Sequence, residues 1–152
     1  MKYGSVCWFT MLVLALGAGG CNRSGASGEK KSVVKGRITN AGNVIPVKPM
    51  VGIFKVRFYR MQEGADDKTA DPFDAVVDTQ TGNFEVKGAD GKGIPGGKYR
   101  IAIQQFDTFP PSPEQADTVD AFKGKFAPGK SPIIRDVDGS NEINIDVSKP
   151  QG

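Results

Sequence analysis

The chain has 152 residues and a formal net charge of +3. It contains no histidine, which excludes Ser-His-Asp and Cys-His nucleophiles and imidazole zinc sites. Basic and acidic residues are interspersed rather than gathered with aromatics, so the sequence carries no nucleic-acid signal.

The chain opens with Lys2 and an almost unbroken apolar run over residues 6–16. Small residues follow, ending in Ala18-Gly19-Gly20-Cys21. A positive start, a short apolar stretch and a small-residue site form the layout of an export signal. The run is too short to span a bilayer, which takes about 20 residues. A cysteine placed just after the cut suits a bacterial lipoprotein, in which the thiol carries diacylglycerol. The lipobox usually has Leu where this chain has Ala18. Ala18 and Gly20 also fit the general signal peptidase, so ordinary secretion is the alternative. Residues 1–20 therefore read as a signal peptide, and Cys21 as the lipidation site. Residues 21–31 read as lipid attachment and a Gly/Ser-rich flexible tether, and 32–149 as one domain. Cys7 and Trp8 fall in the leader, so the mature body has no disulfide and no Trp for stacking sugars.

From residue 32 the pattern alternates with period two, the signature of half-buried strands. Segment 32–39 (SVVKGRIT) presents Val34, Gly36 and Ile38 on one face, and an Asn/Gly turn follows at 40–43. Segment 45–52, with Pro46 and Pro49, reads as irregular or as an edge. In 53–60 (IFKVRFYR), Phe54, Val56 and Phe58 point inward and Lys55, Arg57 and Tyr59 outward. Residues 61–72 read as an acidic loop and 74–79 as a short strand. A turn at 80–83 leads into 83–87, with Phe84 and Val86 inward. A glycine-rich loop at 88–97 precedes the clearest strand, 98–106, which points Tyr99, Ile101 and Ile103 inward. Residues 107–135 make a long connection. Inside it, Ser112, Pro113 and Gln115 mark a helix start, Ala116, Val119 and Phe122 recur at helical spacing, and Gly124 offers a stop. Segment 142–148 closes the domain with Ile143, Ile145 and Val147 inward. The expected fold is all-β: an antiparallel β-sandwich of about seven strands with one short helix in the long loop.

The motifs VVKGRIT, VRFYR, DTQTGNFEV and GIPGGKYRIAI, in that order, resemble the strands of transthyretin-like and carboxypeptidase regulatory-like domains. The tail FKGKFAPGKSPIIRDV…NEINIDV is similar to that of small predicted planctomycete-type lipoproteins, where a leader and a lone sandwich make up the whole protein. The resemblance covers nearly all of the mature chain and implies a prealbumin-like (Ig-like) sandwich. It implies no activity. The family's short link between its first two strands is replaced here by 45–52.

Candidate chemistry is sparse. Residues 136–142 (DVDGSNE) place oxygen ligands at alternating positions, as calcium would need, but lack the spacing of an EF-hand loop. They read more simply as a polar turn. Asp66, Asp67, Asp71 and Asp74 form a second acidic group, read as a solvated loop. Phe106, Phe109, Pro110 and Pro111 read as a cover for one end of the sandwich, with an apolar lip for a ligand as the alternative. No catalytic, cofactor or metal residue is assigned. The expected function is a non-catalytic envelope module for structural, adhesive or partner binding, held to the membrane through Cys21, with an envelope protein or glycan as partner. The alternative is a module binding a glycan or a calcium-linked ligand.

Overall fold

The structure, a computed structural model, describes residues 29–61, 71–108, 116–139 and 142–151. Its strands are β1 (Lys31–Ser32), β2 (Val34–Thr39), β3 (Ile53–Arg60), β4 (Phe73–Asp74), β5 (Val76–Val77), β6 (Asn83–Val86), β7 (Ile94–Pro95), β8 (Gly97–Phe106), β9 (Ile134–Val137) and β10 (Ile145–Asp146). One helix, α1 (Ala116–Val119), lies between β8 and β9. Two four-stranded sheets, ordered β10-β2-β6-β5 and β4-β3-β8-β9, form the sandwich, and β1 pairs with β7 as a ribbon beside them.

The alternation expected from the sequence positions the core. Val34 and Ile38 from β2, Phe84 and Val86 from β6, and Ile145 from β10 meet Val56, Phe58, Tyr99, Ile101, Ile103 and Val137 from the other sheet. Phe58 is central to this contact, with its ring 5.8 Å from Phe84 across the sandwich and 6.2 Å from Tyr99 within its own sheet. Of the thirteen apolar side chains expected to point inward, twelve are buried, and Phe54 is partly buried against them. Ile45, Ile94, Phe126 and Ile133 join them from segments that read as loops.

Two glycines are required where they stand. A Cβ on Gly36 would stand 1.9 Å from the carbonyl oxygen of Ile143, so only glycine lets the final segment approach β2. Gly82 has φ +76° and closes the turn into β6, with its N–H donating to Asp78 O.

Several details differ from the sequence reading. The strand expected at 74–79 is two strands: β4 pairs with β3, β5 pairs with β6, and the chain crosses between sheets at Ala75, whose N–H donates to Val56 O. The last strand is parallel, not antiparallel. β10 returns from the opposite sheet alongside β2, pairing Ile145 with Ile38, and flanking bonds run from Ile143 N to Lys35 O and from Val147 N to Thr39 O. The strand β9 lies within and just beyond what read as a connection, and pairs with β8 from Gly97–Val137 to Arg100–Ile134. Lys31, expected to finish the tether, is instead the first residue of β1. The helix is four residues long, has no buried residue, and leaves Val119 exposed. Its expected start, 112–115, lies outside the described residues. Tyr59, read as facing outward, does point away from the core yet is only 5% exposed.

Candidate functional site

A concavity lies on the outer face of the β10-β2-β6-β5 sheet. β2 alternates buried and exposed positions, so Lys35 and Arg37 leave the core on the same side. Beside Arg37, a shallow open groove of about 560 Å³ is lined by Arg37, Thr39, Glu142, Asn144, Asp146 and Lys149. A second hollow of about 520 Å³ includes Val33, Lys35, Gly36, Phe84 and Glu142. Glu142 borders both.

Three of the polar side chains lining the groove, Arg37, Asn144 and Asp146, bond to other groups of the fold. Arg37 Nε donates to Thr81 O at 3.0 Å, and Arg37 N donates to Asn144 Oδ1 at 2.9 Å. Asp146 accepts from the N–H groups of Ala41 and Gly42 at 2.9 and 3.2 Å, which fastens the β2 turn to the final strand. It also accepts from Ser148 Oγ at 2.7 Å and from Ser148 N at 2.9 Å. These bonds, the Ser148 hydroxyl foremost, hold the Asp146 carboxyl below its usual range. On the same sheet, Lys35 and Lys87 flank Glu85 at 3.6 and 2.8 Å.

A second polar constellation sits where the chain enters the sandwich. Arg60, at the end of β3, grips Glu29 with both guanidinium nitrogens, one of them at 2.9 Å, and donates to Gly96 O at 2.9 Å. The hydrogen bond from Arg60 keeps the Glu29 carboxyl low. Lys31 pairs with Asp90 at 2.7 Å. Beneath them, Tyr99 donates its hydroxyl to Pro95 O at 2.7 Å, and burial pushes its pKa up to about 12.

A third constellation went unread in the sequence. Asp120 is 3% exposed, and its carboxylate accepts from Gln105 N at 2.8 Å and Gly124 N at 3.1 Å. It thus satisfies a β8 N–H where no regular strand pairs. The same irregular segment supplies Phe126 O to Ile103 N and Ile133 O to Ile101 N, both at 2.9 Å, and buried Ser131 donates Oγ to Ile101 O at 2.5 Å. Gln105, also buried, donates its amide to Pro46 O at 2.7 Å. The only sequence signal for Asp120 is a carboxylate four residues before a glycine.

The residues singled out in the sequence fall in different places. Cys21, Asp66, Asp67, Phe109, Pro110 and Pro111 lie outside the described residues, as do Ser140 and Asn141 of the DVDGSNE segment. Asp136 ends up opposite Lys98 in the β8–β9 register, Gly139 has φ +86°, and Glu142 borders the groove. Asp74 pairs with Arg57 at 3.0 Å. Phe106 is 2% exposed. Among the described residues there is no group of three or more His, Cys, Asp or Glu side chains that could hold a metal ion. No family model, no curated protein and no solved structure matches this chain.

Proposed function

We propose that the protein is an exported envelope lipoprotein, anchored through Cys21, whose single β-sandwich is a non-catalytic module for structural, adhesive or partner binding. The observation that carries the non-catalytic reading is where the polar side chains are used. Asp120, Asp146 and Arg60 each hold backbone groups of segments far apart in sequence, as a scaffold requires. The anchoring reading is supported by the leader and by the Gly/Ser-rich stretch that follows Cys21. The transthyretin-like, carboxypeptidase regulatory-like resemblance is supported by the pairing of two four-stranded sheets.

Intact mass of the chain made in a bacterial host tests the anchoring. The expected product begins at Cys21 and carries diacylglycerol, and Cys21→Ser abolishes both the added mass and membrane fractionation. A chain cut before Cys21 with a bare thiol would replace this reading with plain secretion. The groove beside Arg37 favours a second reading, a module that binds glycan. Its polar rim, Arg37, Asn144 and Asp146, is of the type that bonds sugar hydroxyls, and a glycan array probed with the wild type and with Arg37→Ala tests it.

A further inference from the structure

The described body is entered at one end, eight residues after the proposed anchor. β2, β6 and β8 run between two opposite ends of the sandwich. The chain enters at the end formed by β1, β7, the 88–93 turn and the start of β8. There Gly93 and Gly139 pack so closely on Ser32 that a Cβ on Gly93 would stand 2.0 Å from the Ser32 carbonyl carbon. Gly96 N donates to Lys30 O at 3.3 Å. The Lys31–Asp90 and Glu29–Arg60 pairs fasten the strap on both sides. The opposite end holds the 40–43 turn, the 78–82 turn and the end of β8.

Chain geometry then limits where the body can stand. Eight residues from Cys21 to Glu29 span at most about 28 Å even when fully extended. Along the ten residues of β8 the two ends are themselves about 30 Å apart. A leash shorter than the body it holds, attached at one end, keeps that end toward its anchor. Were the strap loose up to Val34, five more residues would lengthen the leash by about 17 Å and release this restriction.

We infer that the β1–β7 end is the membrane-facing surface of the protein and that its partner there is the lipid headgroup layer. The inference rests on the Cys21 anchor proposed above. Exposed Lys30, Lys92 and Lys98 lie at this end together with the carboxylates Asp136 and Asp138, so both signs of charge face outward there. The attraction is therefore small, and the leash rather than charge sets the orientation. The groove beside Arg37 and the 78–82 turn are left clear of the bilayer, available to a partner.

Energy transfer to a headgroup-labelled lipid tests this. The chain from Cys21 onward retains every described residue, and Cys21 is its only thiol. It is coupled through that thiol to a maleimide lipid in phosphatidylcholine–phosphatidylglycerol vesicles. A fluorophore is placed through an encoded ketone residue at Lys92 or at Gln80. Transfer severalfold stronger from position 92 than from position 80 is expected, in vesicles with and without the anionic lipid. Equal transfer from the two positions would overturn the inference. The paired substitution Lys31→Ala with Arg60→Ala should shrink the difference, and a difference unchanged by it would remove the strap as the cause. Because the lipid is attached chemically, this result is independent of whether cells acylate Cys21, which the mass measurement decides separately.

Discussion

The two sheets solve the same problem in different ways. In the β10-β2-β6-β5 sheet the strands are short and one face is wet, and β2 alternates between buried and exposed from Val34 to Ile38. In the β4-β3-β8-β9 sheet, β3 and β8 pair over eight consecutive residue pairs, and β8 is buried at every position from Ile101 to Phe106. Ala102, Gln104 and Phe106 lie on the outer face, opposite Arg57, Lys55 and Ile53. Long stems from β3 across a small alanine cover backbone that would otherwise be wet. The comparison teaches that the β3–β8 pair is the spine of the molecule, and that the other sheet is assembled onto it through side-chain contacts and single polar ties.

If that is right, damage should be graded. Phe58→Ala, at the centre of the spine and in ring contact with the opposite sheet, should lose about 3–5 kcal/mol in denaturant melts. This is a large share of the roughly 5–15 kcal/mol typical of a domain. A smaller loss than from Val34→Ala in the thinner sheet would reverse the ranking of the two. Asp120→Ala leaves the N–H groups of Gln105 and Gly124 without their acceptor, at about 1–3 kcal/mol for each buried group. Hydrogen exchange should show the loosening in β8 near Gln105 before it reaches β2.

The paired change in the wet sheet is Gly36→Ala. Its methyl would collide with the Ile143 backbone, and forcing that segment away should cost about 1–3 kcal/mol by thermal or chemical melting. A neutral result would mean that the parallel β10 contact is dispensable.

Acid should act mainly on the polar ties. Hydrogen bonds hold Asp146 and Asp78 below the usual carboxylate range, and the Lys31 ammonium does the same for Asp90. A depressed folded pKa means that the unfolded chain takes up the proton first as pH falls. These groups therefore stabilise fully above their ordinary pKa of 3.8, and the contribution is lost as pH drops through the lower folded values. Melting temperature should fall over about pH 4 to pH 2, and Asp146→Asn should flatten that fall. Last, Arg57→Ala should cost least, about 1 kcal/mol or below, because the ion pair with well-exposed Asp74 contributes little and only the cover of its stem over β8 is lost. A loss from Arg57→Ala exceeding that from Phe58→Ala would exchange the two faces of β3.

Where one face meets water, the pattern of side chains was enough to read the strand. Segments 34–38, 53–60 and 83–86 show their buried positions directly, and so does 143–147. Reading failed where burial is two-sided or where pairing depends on distant chain. Tyr59 is buried away from the core, which period-two alternation cannot express. Ile134–Val137 has strand character, but only β8 makes it a strand, and Pro132 beside it favours a loop reading. The crossing at Ala75 requires two sheets to be in place on either side. Among the described residues the helix signal yields one turn, and Asp120, just beyond it, spends its side chain on Gln105 and Gly124. The strap and the groove were equally hidden, since Arg60–Glu29 and Arg37–Asn144 join residues 31 and 107 positions apart.

The crossing at Ala75 has a consequence for the protein at high local concentration. A strand of five residues running along one sheet would present a continuous row of free N–H and C=O groups, a template on which another copy could pair. Divided at Ala75, the same segment ends each sheet with only two residues, Phe73–Asp74 on one and Val76–Val77 on the other. Neither piece is long enough to seed a growing ladder, and each turns away where the other begins. Molecules crowded on a surface could thus stand side by side without their sheets fusing.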